Sequence, residues 1–152
     1  MSLHIFLLFF HLLGVAVWVG GMFFALCCLR PAAIQLLEPP QRLPLLHAAL
    51  GRFFPWVAVS IVLILASGLG IMAHVGFANA PKGWHWMMTS GIVMMLIFGH
   101  IWGAGHRRLG RAIAAGDWPA GGVAMNGIRR LVTVNLVLGV LTIAFATFGS
   151  AF

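Results

Sequence analysis

The sequence has almost no acidic residues: Glu38 and Asp117 are the only two among 152 residues, and all charged residues together make up 7%. A soluble domain carries about a quarter charged residues, so this chain cannot solvate the surface of a soluble globular protein. High hydrophobicity also excludes a disordered chain. The only cysteines, Cys27 and Cys28, are adjacent, and neighbouring cysteines form only a strained disulfide. A disulfide-stabilised secreted miniprotein is therefore excluded as well.

Hydrophobic residues make up 62% of the chain and fall into four long apolar runs. A helix needs about 20 apolar residues to span a membrane. The runs predict four spans, at about residues 3–29, 53–75, 84–103 and 131–148. We therefore expect an all-α, integral membrane four-helix bundle that forms a single membrane domain over residues 1–152.

The segments between the runs carry the helix-breaking residues. Arg30-Pro31 is expected to end the first span. The basic segment that follows contains Pro39-Pro40 and is expected to hold one short interfacial helix around residues 43–50. After the third span, residues 107–115 have an amphipathic pattern, and Gly116–Pro119 is a strong break before the fourth run.

The positive charges are distributed unevenly, with a formal net charge of +7. Only Lys82 lies in the short turn between the second and third runs. The other eight lie in the first and third connections: Arg30, Arg42, Arg52, Arg107, Arg108, Arg111, Arg129 and Arg130. By the positive-inside rule these connections face the cytoplasm, with both termini on the outer side of a bacterial inner membrane. Because the charges bracket apolar runs and form no recognition motif, we expect no nucleic-acid partner.

Seven histidines are the most informative residues of the chain. Ionisable groups inside a span are costly and indicate function. His11 lies well inside the first span, His74 and His85 lie at outer helix ends, and His100 lies toward the inner end of the third span. Neutral imidazoles from facing helices are ligands for haem iron or copper, so these four are the predicted cofactor-binding residues. No carboxylate lies in any span, which excludes a hard-cation or carboxylate-bridged di-iron site.

Two further residues join this predicted site. His4, His11 and Trp18 recur every seven residues and therefore share one face of the first helix. Met88 lies one turn from His85, so the predicted metal ligands are His11, His85 and Met88. The pattern does not decide which histidines would pair as axial haem ligands, and it identifies no catalytic residue.

Three stretches resemble a known family: HLLGVAVWVGG at residues 11–21 followed by Arg30-Pro31, WHWMMTSGIVMMLIFGH at 84–100, and RRLVTVNLVLG at 129–139 with Asn135. They are similar to the CopD-type membrane domain over nearly the whole chain, and this resemblance implies copper uptake or resistance. The spacing from His11 to Trp18 also resembles HemJ-type membrane proteins, which bind haem b. That second resemblance implies a haem-ligand role for His11.

Three functions remain open from the sequence. In the first, the protein is a haem b oxidoreductase that passes single electrons between membrane quinol and an acceptor at the outer face. In the second, it handles copper through His and Met side chains. In the third, it is a non-catalytic subunit or assembly factor of a respiratory complex. A homo-oligomer or a partner within a membrane complex is compatible with each of them.

Overall fold

The computed structural model describes residues 3–148, and the expected outer position of the two termini lies outside this range. Four helices are long and apolar enough to cross a membrane: Leu3–Leu36, Pro39–Val75, Lys82–Ala114 and Trp118–Phe148. We call these the first to fourth helices. The described residues contain no strand. Leu96 and Val123, 70% and 74% exposed, are among many apolar side chains on the outside of the bundle, as expected of helices that face lipid. The protein is an all-α membrane four-helix bundle and a multi-pass membrane protein.

The prediction that Arg30-Pro31 ends the first helix is wrong, because the helix continues to Leu36 through a π-turn at Ala25–Leu29. In this turn the Arg30 N–H donates to the Ala25 carbonyl, five residues back, instead of four. Proline stops an α-helix because it lacks an N–H and its ring collides with the carbonyl four residues earlier. The π-turn changes which N–H and carbonyl groups are paired just before Pro31. Pro31 itself lies in the first turn of the helical segment after the π-turn, where a missing N–H is harmless.

The short interfacial helix expected at residues 43–50 is also not a separate element. It belongs to the second helix, which begins at Pro39 and runs without interruption to Val75, with Pro44 and Pro55 inside it. Pro39 starts this helix instead of breaking it, because proline is favoured at the first helical position.

The third helix is likewise longer than its apolar run. It passes through a second π-turn, Ile101–Gly105, into the amphipathic segment His106–Ala114. The predicted break follows: Gly116 has φ +67°, a left-handed conformation that glycine adopts at helix ends. The fourth helix then begins at Trp118, and the Ala120 N–H donates to Asp117 Oδ1 at 3.0 Å.

Aromatic side chains form the centre of the bundle. The ring of Phe98 packs edge-to-face against Trp18, with ring centroids 6.3 Å apart, and against Phe54, with centroids 5.6 Å apart. All three side chains are buried. This cluster ties the first three helices together.

The second and third helices cross at a pair of stacked histidines. The rings of His47 and His106 lie 3.9 Å apart and nearly parallel, and His106 Nε2 lies 3.1 Å from the His47 carbonyl oxygen. Each ring covers a glycine of the opposite helix: an added Cβ at Gly110 would lie 2.9 Å from His47 Nε2, and one at Gly51 would lie 3.3 Å from His106 Nε2. The two glycines allow the helices to approach closely enough for the rings to stack.

Candidate functional site

His11 is the one buried histidine among residues 3–148, with 9% of its surface exposed. His4, His47 and His106 are half-buried, whereas the remaining three histidines are exposed. Buried polar side chains in a membrane bundle need partners, because neither lipid nor an apolar core supplies them. The surroundings of His11 therefore define the candidate site.

Ser67 of the second helix is the hydrogen-bonding partner of His11. Ser67 Oγ lies 3.1 Å from His11 Nδ1, and its hydroxyl donates to the carbonyls of Leu63 and Ile64 in its own helix. Because the hydroxyl proton is used in this way, we assign Ser67 Oγ as the acceptor and place the ring proton on Nδ1. The lone pair of the neutral imidazole is then on Nε2, which is the form that binds a metal ion. Ser67 was not among the residues singled out from the sequence.

His11 lines two adjacent cavities, of about 150 and 60 Å³. Ile64, Met87, Gly91 and Met95 line both of them together with His11. The larger cavity also contacts Trp18, Met94 and Thr142, and the smaller one contacts Met72, Met88 and Gly68. Five methionines therefore surround the space beside one imidazole.

The helical repeat explains why these residues meet. Met87, Gly91, Met94 and Met95 are spaced by four, seven and eight residues, so they lie on one face of the third helix. On the first helix, His11, Val15, Trp18 and Val19 have the same spacing. Gly91 leaves open space, because an added Cβ there would meet no atom within 4 Å. The cavity therefore lies between these faces of the first and third helices, whose lining residues follow the same spacing.

Only part of the predicted site is brought together. His11 and Trp18 line the larger cavity, and Met88, 37% exposed, lines only the smaller one. His74 and His85 are exposed near the outer helix ends and line neither cavity. His100 is exposed as well and lines a separate groove between the third and fourth helices.

The donor set at the site is soft and carries no negative charge. Within the part of the chain that the structure describes, no three His, Cys, Asp or Glu side chains are grouped to hold a metal ion. The potential ligands beside His11 are thioethers, which favour Cu(I) over hard cations such as Mg²⁺ or Ca²⁺. Cys27 and Cys28 are free and exposed in the first π-turn and line neither cavity.

The same residues do not fit haem b. The larger cavity, at about 150 Å³, is well below the roughly 300–1,000 Å³ of pockets that enclose cofactor-sized ligands. Among the described residues, His11 is also the only histidine that lines it, so a second axial imidazole is missing from the cavity.

The family model for copper resistance protein D (CopD) matches residues 47–148, about two thirds of the chain. The chain belongs to the CopD family. No curated protein and no solved structure matches it.

The CopD match places the methionine face of the third helix inside the family region, together with Ser67 and Met72. His11 and Trp18 precede the matched residues. The CopD family description connects this membrane protein with copper, and the soft donors around the cavity agree with that connection.

Proposed function

We propose that this protein handles copper in a bacterial inner membrane, binding Cu(I) as its cargo in the cavity beside His11. The observation that carries the proposal is the buried imidazole of His11, held by Ser67 through Nδ1, on the wall of an apolar cavity that Met87, Met94 and Met95 also line. CopD membership supports the same conclusion independently of this geometry.

His11 Nε2 and the thioethers of Met87 and Met95 form the proposed ligand set, since these two methionines line both cavities. Met72, Met88 and Met94 provide further sulfur atoms along the same space. Imidazole and thioether are neutral, so a bound Cu(I) ion keeps a single positive charge. That charge is less costly to hold in a membrane than the double charge of Cu(II).

The direction of movement follows from the charge distribution. We propose that the basic connections face the cytoplasm, in accord with the positive-inside rule. His11 is then in the outer half of the bundle, and the Trp18, Phe54 and Phe98 cluster closes the space on its inner side. The site is therefore filled from the outer face, and the aromatic cluster separates it from the cytoplasm.

The test is an anaerobic Cu(I) titration of detergent-purified protein against a coloured Cu(I) chelator, with metal analysis and a visible spectrum of the same sample. We expect about one Cu(I) per chain and no Soret band. His11→Ala should abolish competition with the chelator, and the double variant Met87→Leu/Met95→Leu should weaken it strongly. Met125→Leu is the control, because Met125 is a buried methionine of the bundle that lines neither cavity.

Two results would contradict the proposal. One is a wild-type protein that binds no Cu(I). The other is equal loss of affinity in the Met125 control and in the Met87/Met95 variant, which would indicate a general effect of methionine replacement on the bundle. A Soret band that disappears in His11→Ala would instead restore the haem b interpretation.

A further inference from the structure

A groove of about 600 Å³ lies between the inner parts of the third and fourth helices. It is distinct from the His11 cavity and shares no residue with it. Its wall from the third helix runs from His100 to Ala112, and its wall from the fourth helix runs from Ala120 to Leu131. Its volume lies within the range of pockets that hold ligands of drug or cofactor size.

The groove has an apolar floor and a cationic rim. Five of the ten lining residues are small, namely Gly105, Ala112, Ala120, Ala124 and Gly127, and Val123, Ile128 and Leu131 complete the apolar surface. The polar lining side chains are His100 and Arg108, both of them exposed, and no acidic residue lines the groove. An occupant that matches these walls is apolar along its length and negatively charged at one end.

The depths of Arg108 and His100 in the membrane indicate where the charged end of the occupant lies. Arg108 lies five residues past Gly103, the predicted inner end of the third span, which is about 7 Å along the helix axis. This distance brings it to the layer of lipid headgroups just outside the hydrocarbon core. His100 lies about 12 Å before Arg108 along the same helix and therefore within the hydrocarbon.

We propose that this groove binds one anionic phospholipid, with the phosphate at Arg108 and an acyl chain along the floor of small residues toward Leu131. Basic pockets between membrane helices on the cytoplasmic side are suited to anionic headgroups. The preference for a net negative lipid over a zwitterionic one follows from the positive charge of Arg108 and from the lack of any lining carboxylate. This inference is independent of the copper site.

Two substitutions test the two parts of the groove. Arg108→Gln removes the charge at the rim. Gly127→Leu fills the floor, and an added Cβ at Gly127 meets no atom within 4 Å. The matched controls are Arg111→Gln, an exposed arginine on the same helix that does not line the groove, and Gly20→Leu, an exposed glycine with equally open surroundings.

The measurement is native mass spectrometry of the delipidated, detergent-solubilised full chain, titrated with phosphatidylglycerol, phosphatidylethanolamine or inorganic phosphate. We expect one phosphatidylglycerol per chain, bound more tightly than phosphatidylethanolamine, and no displacement by inorganic phosphate. Arg108→Gln should bind phosphatidylglycerol about fivefold more weakly. Gly127→Leu should lose the tight adduct, and both controls should behave as the wild type.

Several outcomes would overturn the proposal. Equal binding of the two lipids, or equal weakening by Arg111→Gln and Arg108→Gln, would show that the rim charge has no specific role. Unchanged binding in Gly127→Leu would place the lipid elsewhere. Displacement by inorganic phosphate would show an anion site that needs no lipid, and a dimer mass in place of the lipid adduct would show that a second copy of the chain covers the groove.

Discussion

Ser67→Ala tests whether the hydrogen bond between His11 and Ser67 contributes to copper binding, while the proposed ligand His11 is kept. The Ser67 side chain is 2% exposed, and its hydroxyl oxygen is the acceptor for His11 Nδ1 at 3.1 Å. The substitution leaves the imidazole in place but removes the group that fixes its tautomer and its orientation. Loss of such a supporting partner lowers metal affinity about 10- to 100-fold, equivalent to about 1.4–2.8 kcal/mol of binding free energy.

The assay is the Cu(I) competition titration, accompanied by thermal unfolding in the same detergent. Ser60→Ala is the control, because Ser60 is also 2% exposed in the second helix and its hydroxyl donates to the Trp56 carbonyl at 2.8 Å. Both substitutions remove a hydroxyl that donates within the second helix, worth about 1 kcal/mol of stability, and Ser67→Ala also removes the hydrogen bond with His11. Only Ser67→Ala should weaken copper binding.

Two results would refute this reasoning. If Ser67→Ala bound Cu(I) as tightly as the wild type while His11→Ala did not, Ser67 would have no part in orienting the ligand. If Ser60→Ala and Ser67→Ala lost affinity equally, the effect would come from the packing of the second helix and not from the His11 hydrogen bond.

Three further predictions concern packing and topology. Gly14→Ala should destabilise the bundle by about 1–3 kcal/mol, because the added Cβ would lie 2.9 Å from the Ile64 side chain, whereas Gly20→Ala should not; thermal unfolding in detergent distinguishes them. Asn135→Leu should change the melting temperature little, because it removes the unpartnered buried Oδ1 together with the Nδ2 hydrogen bond to the Met94 carbonyl at 3.1 Å, and a fall of several degrees would contradict this. Alkaline phosphatase fused after Phe152 should be active, since we expect the C-terminus outside the cytoplasm, and inactivity with full expression would reverse the orientation.

The four helices could be predicted because each contains an apolar run long enough to span a membrane. Their ends could not be predicted in the same way. Pro31 and Pro39 are ordinary stop signals for a helix, yet one follows a π-turn and the other occupies a helix start. The hydrogen-bonding pattern that makes proline acceptable at these two positions is a property of the folded backbone and has no signature in hydropathy.

The candidate site was predictable only for residues that lie deep in a span. His11 stands out because an ionisable imidazole in the middle of an apolar run is costly to place in a membrane and therefore indicates a function. The choice among the methionines of the third helix depends on how that helix is rotated, and the structure turns Met87 and Met95 toward His11 while Met88 lines only the smaller cavity. His74 and His85 are outer-end residues whose depth is close to that of the water interface, so their exposure is compatible with any rotation of their helices.

The two π-turns determine where the length of this chain can change. A bond to the fifth residue back encloses one more residue than the regular α-helical bond. Deleting one residue from Ala25–Leu29 would restore regular α-helical bonding without rotating His11 relative to Pro31. The same holds for Ile101–Gly105, between Met95 and His106. Single-residue deletions in this chain should therefore be tolerated best in these two turns, where they leave the His11 cavity and the stacked histidines unmoved.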